Sequence, residues 1–120
     1  MRRFSFGILA AAIAAPLIGC AGAPKPEARM ASSEGAIRGA REAGADNVPQ
    51  ATLYLKLAEE QRAKALELVK DGDNHRAAMM LGRSEADAEL AVALARANNA
   101  QADAATAHEQ VNELKEKAAP

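Results

Sequence analysis

Tryptophan is absent from this chain of 120 residues, tyrosine occurs once, phenylalanine twice, and the aromatic share is 2%. A core built on large rings is therefore excluded. The length allows one small domain and rules out a multidomain enzyme. With a single cysteine, no disulfide can form within the chain. Charge of one sign is also missing, because 15 Lys plus Arg stand against 16 Asp plus Glu for a formal net charge of -1. That balance lacks the electrostatic footprint of a nucleic-acid binder. Alanine, in contrast, fills 32 positions, so the 49% apolar share consists largely of methyl groups. Such a chain can pack its backbones closely while burying little area per residue.

The lone cysteine sits where its context gives it a meaning. Met1, Arg2 and Arg3 form a basic head, residues 4–15 are an apolar run too short to span a bilayer, and Pro16 precedes Leu17-Ile18-Gly19-Cys20. An aliphatic residue three places before Cys, with a small residue directly before it, resembles the lipobox of exported bacterial lipoproteins. The resemblance implies cleavage between Gly19 and Cys20 and a covalent diacylglycerol with an N-acyl chain on Cys20. It makes residues 1–19 a signal peptide, with Cys20 as the membrane attachment. Cleavage at an Ala-x-Ala-like site such as Ala21-Gly22-Ala23 is the competing reading, and Arg2-Arg3 also raises a twin-arginine signal, although no polar residue precedes the pair. Removing residues 1–19 takes away Arg2 and Arg3, leaving 13 basic residues against 16 acidic ones, a net -3. Attachment must then come from the acyl chains and not from attraction to anionic lipid. Ala21 stands where an Asp would resemble an inner-membrane retention signal, so the expected location is the periplasmic face of the outer membrane.

Beyond the signal, residues 20–33 contain two Pro and small residues without a sustained period, which predicts a flexible tether. Ser33-Glu34 reads as the start of a first helix, with Ala36, Ile37, Ala40 and Ala43 on one face up to Gly44. Gly35 and Gly39 each weaken it by about 1 kcal/mol relative to Ala, and their spacing predicts close packing in a soluble helix pair. Asp46-Asn47-Val48-Pro49 breaks the helix and opens a second, expected over residues 49–70. Its burial face is Ala51, Tyr54, Leu55, Leu57, Ala58, Ala65, Leu66, Leu68 and Val69. Lys70-Asp71-Gly72-Asp73 signals a helix-turn-helix, with Gly72 left-handed and Asp73 as the next N-cap. Asp71, Asp73 and His75 alternate as in a calcium loop, but Arg76 and Gly82 stand at the positions where such a loop needs Gly and Glu.

Nothing halts a helix from residue 74 to about 117. Ala77, Leu81, Ser84, Ala88, Ala91, Ala95, Asn98, Ala102 and Ala105 recur at alternating spacings of four and three, a heptad seam of small residues thickened by Met80, Leu90, Val92 and Leu94. Asn98, Asn99 and Glu109 dilute it, so its distal half should be looser or await a partner. The expected fold is all-α: an antiparallel helical hairpin with an Ala-rich seam, its first arm broken at Pro49, over residues 34–117. The first helix either continues that arm, so that the long helix covers both, or folds back to make a compact three-helix bundle.

The run Ser33-Glu34-Gly35-Ala36 through Gly44-Ala45, with Val48-Pro49, Leu57-Ala58-Glu59, Ala63-Lys64-Ala65, Gly72-Asp73 and residues 85–91, resembles the uncharacterised bacterial domain of unknown function 4398. The resemblance spans roughly residues 32–107. It implies an exported protein, often a small lipoprotein, and brings no catalytic residues; the peptidoglycan-binding module fused to some members is not expected here.

Other chemistry is sparse. His75 and His108 are about 50 Å apart on one straight helix and cannot share a ligand. His75 beside Met79 and Met80 reads as a turn residue near an apolar stripe, and not as a soft-metal site. Glu85, Asp87 and Glu89 form a solvated acidic face, with Asp87 near enough to the seam to pair with Arg62. No metal, cofactor, catalytic residue or nucleic-acid partner is expected. Two functions follow: a lipid-anchored, non-catalytic helical interaction module with an envelope protein partner, or a self-associating coiled-coil spacer. A covalent link to the cell wall is not expected from Lys117-Ala118-Ala119-Pro120, which lacks a terminal Lys or Arg.

Overall fold

The structure, a computed structural model, describes residues 22–119. Gly19 and Cys20, and with them the signal cleavage and lipidation sites, lie outside the described residues. The chain is all-α, built from α1 (Glu27–Glu42), a single 3-10 turn (Ala45–Asn47), α2 (Pro49–Lys70) and α3 (Asn74–Ala118).

The turn between α2 and α3 forms as its four residues require. Asp71 ends α2, Gly72 takes a left-handed φ of 80°, and the amides of Gly72 and Asp73 donate to the carbonyls of Val69 at 3.2 Å and Leu68 at 2.9 Å. This is the double bond pattern that satisfies the orphan carbonyls of a helix end. The Asp73 carboxylate then accepts from the Arg76 amide at 3.2 Å and caps α3. One residue thus closes one helix and opens the next.

At the other end Gly44 leaves α1 with φ 85°, and Val48 is extended, as a residue before proline must be. Pro49 occupies the first turn of α2, where its missing N–H costs nothing. The Thr52 hydroxyl lies 2.8 Å from the Ala45 carbonyl and 3.0 Å from that of Val48, tying the corner to the helix that follows it.

The α2–α3 hairpin is cemented by alanine. Ala51, Leu55, Ala58 and Ala65 of α2 and Ala77, Leu81, Ser84, Ala88, Ala91 and Ala95 of α3 are buried. Seams of such small residues let helix axes approach near the lower end of the usual 8–10 Å. The approach is close enough for the buried Ser84 hydroxyl to donate across the interface to the Ala58 carbonyl at 2.7 Å.

Of the two positions open to α1, the chain takes the folded-back one. Glu34 reaches Arg62 and Arg41 reaches Glu59, so α1 runs antiparallel to α2, while Asn74 bonds Ala23 and Asn99 bonds Ala43, so it runs parallel to α3. Ser33, Ile37 and Ala40 are its buried face. The long helix therefore does not cover two collinear arms. All three helices overlap at one end, and α3 continues alone.

Two expectations for α1 need correction. The tether was expected to reach Ser33, yet the helix begins at Glu27 behind Pro26, and Ser33 is fully buried inside it, its hydroxyl donating to the Met30 carbonyl at 3.1 Å. Residues 27–31 favour helix intrinsically, and they gain a surface to lie on: a Cβ at Gly82 of α3 would sit 3.1 Å from the Arg29 guanidinium. Close packing at Gly35 and Gly39 does not occur, since a Cβ at either would meet nothing within 4 Å.

Candidate functional site

The helical body offers little that could hold a small ligand. A cleft of about 360 Å³ runs between α1 and α2 past Glu34, Ile37, Arg38, Arg41, Glu59 and Arg62. Its charges mostly cancel across the cleft, with Arg41 to Glu59 at 2.6 Å and Arg62 to Glu34 at 2.8 Å. The expected pairing of Arg62 with Asp87 is therefore replaced. Folding α1 back brings Glu34 within reach of the guanidinium, and Gln61 takes Asp87 instead, its Nε2 donating to Oδ2 at 2.7 Å.

His75 lies beside Arg29, Ala78, Met79 and Gly82 at a shallow depression of about 260 Å³. His108 is on the exposed far part of the same helix. Among the described residues, no three His, Cys, Asp or Glu side chains assemble into a cation site. No described helix is long and apolar enough to cross a membrane.

What the fold does present is the free end of α3. Every residue from 96 to 119 is exposed, a helical rod of about 35 Å at 1.5 Å per residue. The heptad seam read from the sequence accordingly divides. Its first six residues, Ala77 to Ala95, are buried, whereas Asn98, Ala102 and Ala105 are exposed. Asn99 makes the last polar contact with the body, its amide donating to the Ala43 carbonyl at a long 3.4 Å.

A second seam lies on the opposite face of α3 and was missed by the reading of the sequence. Ala86, Leu90, Ala93, Ala97, Ala100, Ala104, Ala107, Val111, Leu114 and Ala118 recur at spacings of four and three without interruption, and all are exposed. At 100° per residue this row lies about half a turn from the buried seam. Leu90, at 40% exposure, belongs to this face, so it does not thicken the buried seam as expected. Val111 at 46% and Leu114 at 65% complete its larger side chains. The signal was present as a second phase of the same heptad period, hidden because alanine populates both phases.

The two ends of the molecule differ in kind. The Asn74 amide donates to the Ala23 carbonyl at 2.7 Å, so the chain enters the body beside the α2–α3 turn. Cys20 is three residues upstream, at most about 11 Å of extended chain from Ala23. The rod points the other way. No known protein family, curated protein or solved structure matches the chain.

Proposed function

We propose that this protein is an outer-membrane lipoprotein, held at the periplasmic face by acyl chains on Cys20, whose helical body is a non-catalytic module presenting the distal part of α3 to an envelope partner. The observation that carries the reading is the exposure of every residue from 96 to 119 along a helix that continues without a break from the packed body. Most helical stability in proteins comes from tertiary packing of an apolar face, and this stretch receives none from its own body. The exposed row from Ala86 to Ala118 is such a face.

The anchor reading rests on Leu17-Ile18-Gly19-Cys20 and on the lack of any other cysteine. With Ala23 bonded to Asn74, the body would stand against the membrane by its turn end, and the segment able to act as a tether shrinks from residues 20–33 to the few before Glu27. The resemblance to the domain of unknown function 4398 agrees with export and assigns no chemistry.

Metabolic labelling with a clickable fatty acid tests the anchor. Label should appear on the wild-type chain, vanish in Cys20→Ser, and co-sediment with outer membrane in a density gradient. Label retained by Cys20→Ser, or a mature N-terminus other than Cys20, would contradict it. The second reading, a self-associating spacer, is favoured by the outward seam specifically.

A further inference from the structure

We propose that the outward seam of α3 pairs with the same seam of a second copy of this chain, the two helices running antiparallel. The inference rests on the second reading, the self-associating spacer, which it deepens by giving the register and direction of pairing, and it does not depend on the lipid anchor.

The ten seam residues fit a heptad register in which Leu90, Ala97, Ala104, Val111 and Ala118 take one core position and Ala86, Ala93, Ala100, Ala107 and Leu114 the other. In an antiparallel pair the two core positions face each other. With the two-fold axis near residue 102, Leu90 meets the partner's Leu114 at each end. Val111 meets the partner's Ala93, and the centre is alanine on alanine. Large faces large at the ends, and large faces small or small faces small inside, which gives a closely spaced pair closed by leucine at both ends. The contact is isologous, so it stops at two copies.

Charge decides the direction. The charged residues flanking this register are Asp87 and Glu89 near the body, Arg96 and Asp103 between, and Lys115 and Lys117 at the far end. Antiparallel pairing sets Glu89 against the partner's Lys117 and Asp87 against the partner's Lys115, each twice by symmetry. One like-charge meeting, Asp103 with the partner's Asp103, falls at the axis. In a parallel pair Glu89 would face leucine and Lys115 would face glutamine, and only Asp103 with the partner's His108 would be complementary. Within its own chain Lys117 has just Glu113, at 3.9 Å, and Glu89 makes no ion pair among the described residues, so both are available. The two bodies then lie at opposite ends, their Asn74 residues about 85 Å apart at 1.5 Å per residue.

Sedimentation of the full chain in mild detergent and reducing buffer, so that a free thiol cannot link copies, tests the pairing. The wild type should sediment as a dimer. Lys117→Glu sets carboxylate against carboxylate at both ends and should weaken association at least about fivefold. Adding Glu89→Lys in the same chain restores both contacts in reversed sense and should recover wild-type affinity. Both residues are exposed, so the melting curve of the body serves as the control for folding. A wild type that stays monomeric at every concentration would overturn self-pairing and leave the seam to a different partner. A dimer unmoved by Lys117→Glu, or not rescued by Glu89→Lys, would overturn the antiparallel register. Repeating the series in Cys20→Ser separates the two readings, because pairing should persist there even though anchoring is lost.

Discussion

The side-chain amide of Asn74 donates to the backbone carbonyl of Ala23 at 2.7 Å, joining the first residue of the longest helix to the segment that leads in from the N-terminal side. This contact gives the molecule its polarity, with chain entry at the turn end and a bare helix at the other. Asn74→Ala should leave α1 in place, because Ser33, Ile37 and Ala40 remain buried. It should free residues 22–26, at a cost near 1 kcal/mol for one hydrogen bond. Hydrogen exchange should accelerate at Glu27 and Met30, whose amides donate to the carbonyls of Lys25 and Pro26, and not in the rest of α1. Acceleration throughout α1 would mean that the bond holds the whole helix down.

Gly72 has φ 80°, and a Cβ there would meet nothing within 4 Å. The penalty for a side chain is thus backbone strain alone, and Gly72→Val should destabilise the domain by roughly 1–2 kcal/mol. Chemical denaturation should show a lower midpoint with an unchanged slope. An unchanged midpoint would rule out a left-handed turn at this residue.

Ser84 and Ala58 define how near α2 and α3 come, through a buried 2.7 Å hydrogen bond. Ser84→Ala keeps the volume and should cost about 0.5–1.5 kcal/mol, while Ser84→Leu must part the helices and should cost about 1–3 kcal/mol. Equal melting temperatures for the two variants would place the helices farther apart than this contact requires.

Much of this fold was legible in the sequence wherever one residue type has one backbone meaning. Pro49 opens α2, Gly72 and Asp73 make the turn, and the alternation of four and three picks out the buried face of α3 from Ala77 to Ala95. The start of α1 was not legible, because Ser33-Glu34 has the local form of an N-cap while its burial against the other helices is a tertiary fact. Nor was the side on which α1 lies, since burying alanine here or there involves nearly the same area. The partner of Arg62 followed from that placement, as its long side chain meets whichever carboxylate the fold brings near. For the candidate site, Asn98, Ala102 and Ala105 were readable as a diluted stretch, but the outward seam was masked by alanine occupying both phases of the heptad.

If the outward seam is the interaction surface, substitutions in the two seams should separate stability from interaction. Ala91→Glu puts a charge into a fully buried position and should unfold the body, a loss of several kcal/mol. Ala102→Glu and Leu114→Glu lie on exposed surface and should shift the melt by no more than about 0.5 kcal/mol. Leu114→Glu should in addition weaken association. If Ala102→Glu melts the body as severely as Ala91→Glu does, the distal helix is core and not interface.

The central claim is that the outward seam of α3, and not the rest of the body surface, makes this protein's contacts. Photocrosslinking in intact cells tests it most directly, with a photoreactive amino acid placed in turn at Ala97, Ala104, Val111 and Leu114 on the outward seam and at Leu53 of α2, an exposed large apolar residue of the body away from that seam. Covalent adducts from the four seam positions, with Leu53 silent, are the predicted result; adducts confined to Leu53, with the seam silent, would contradict it.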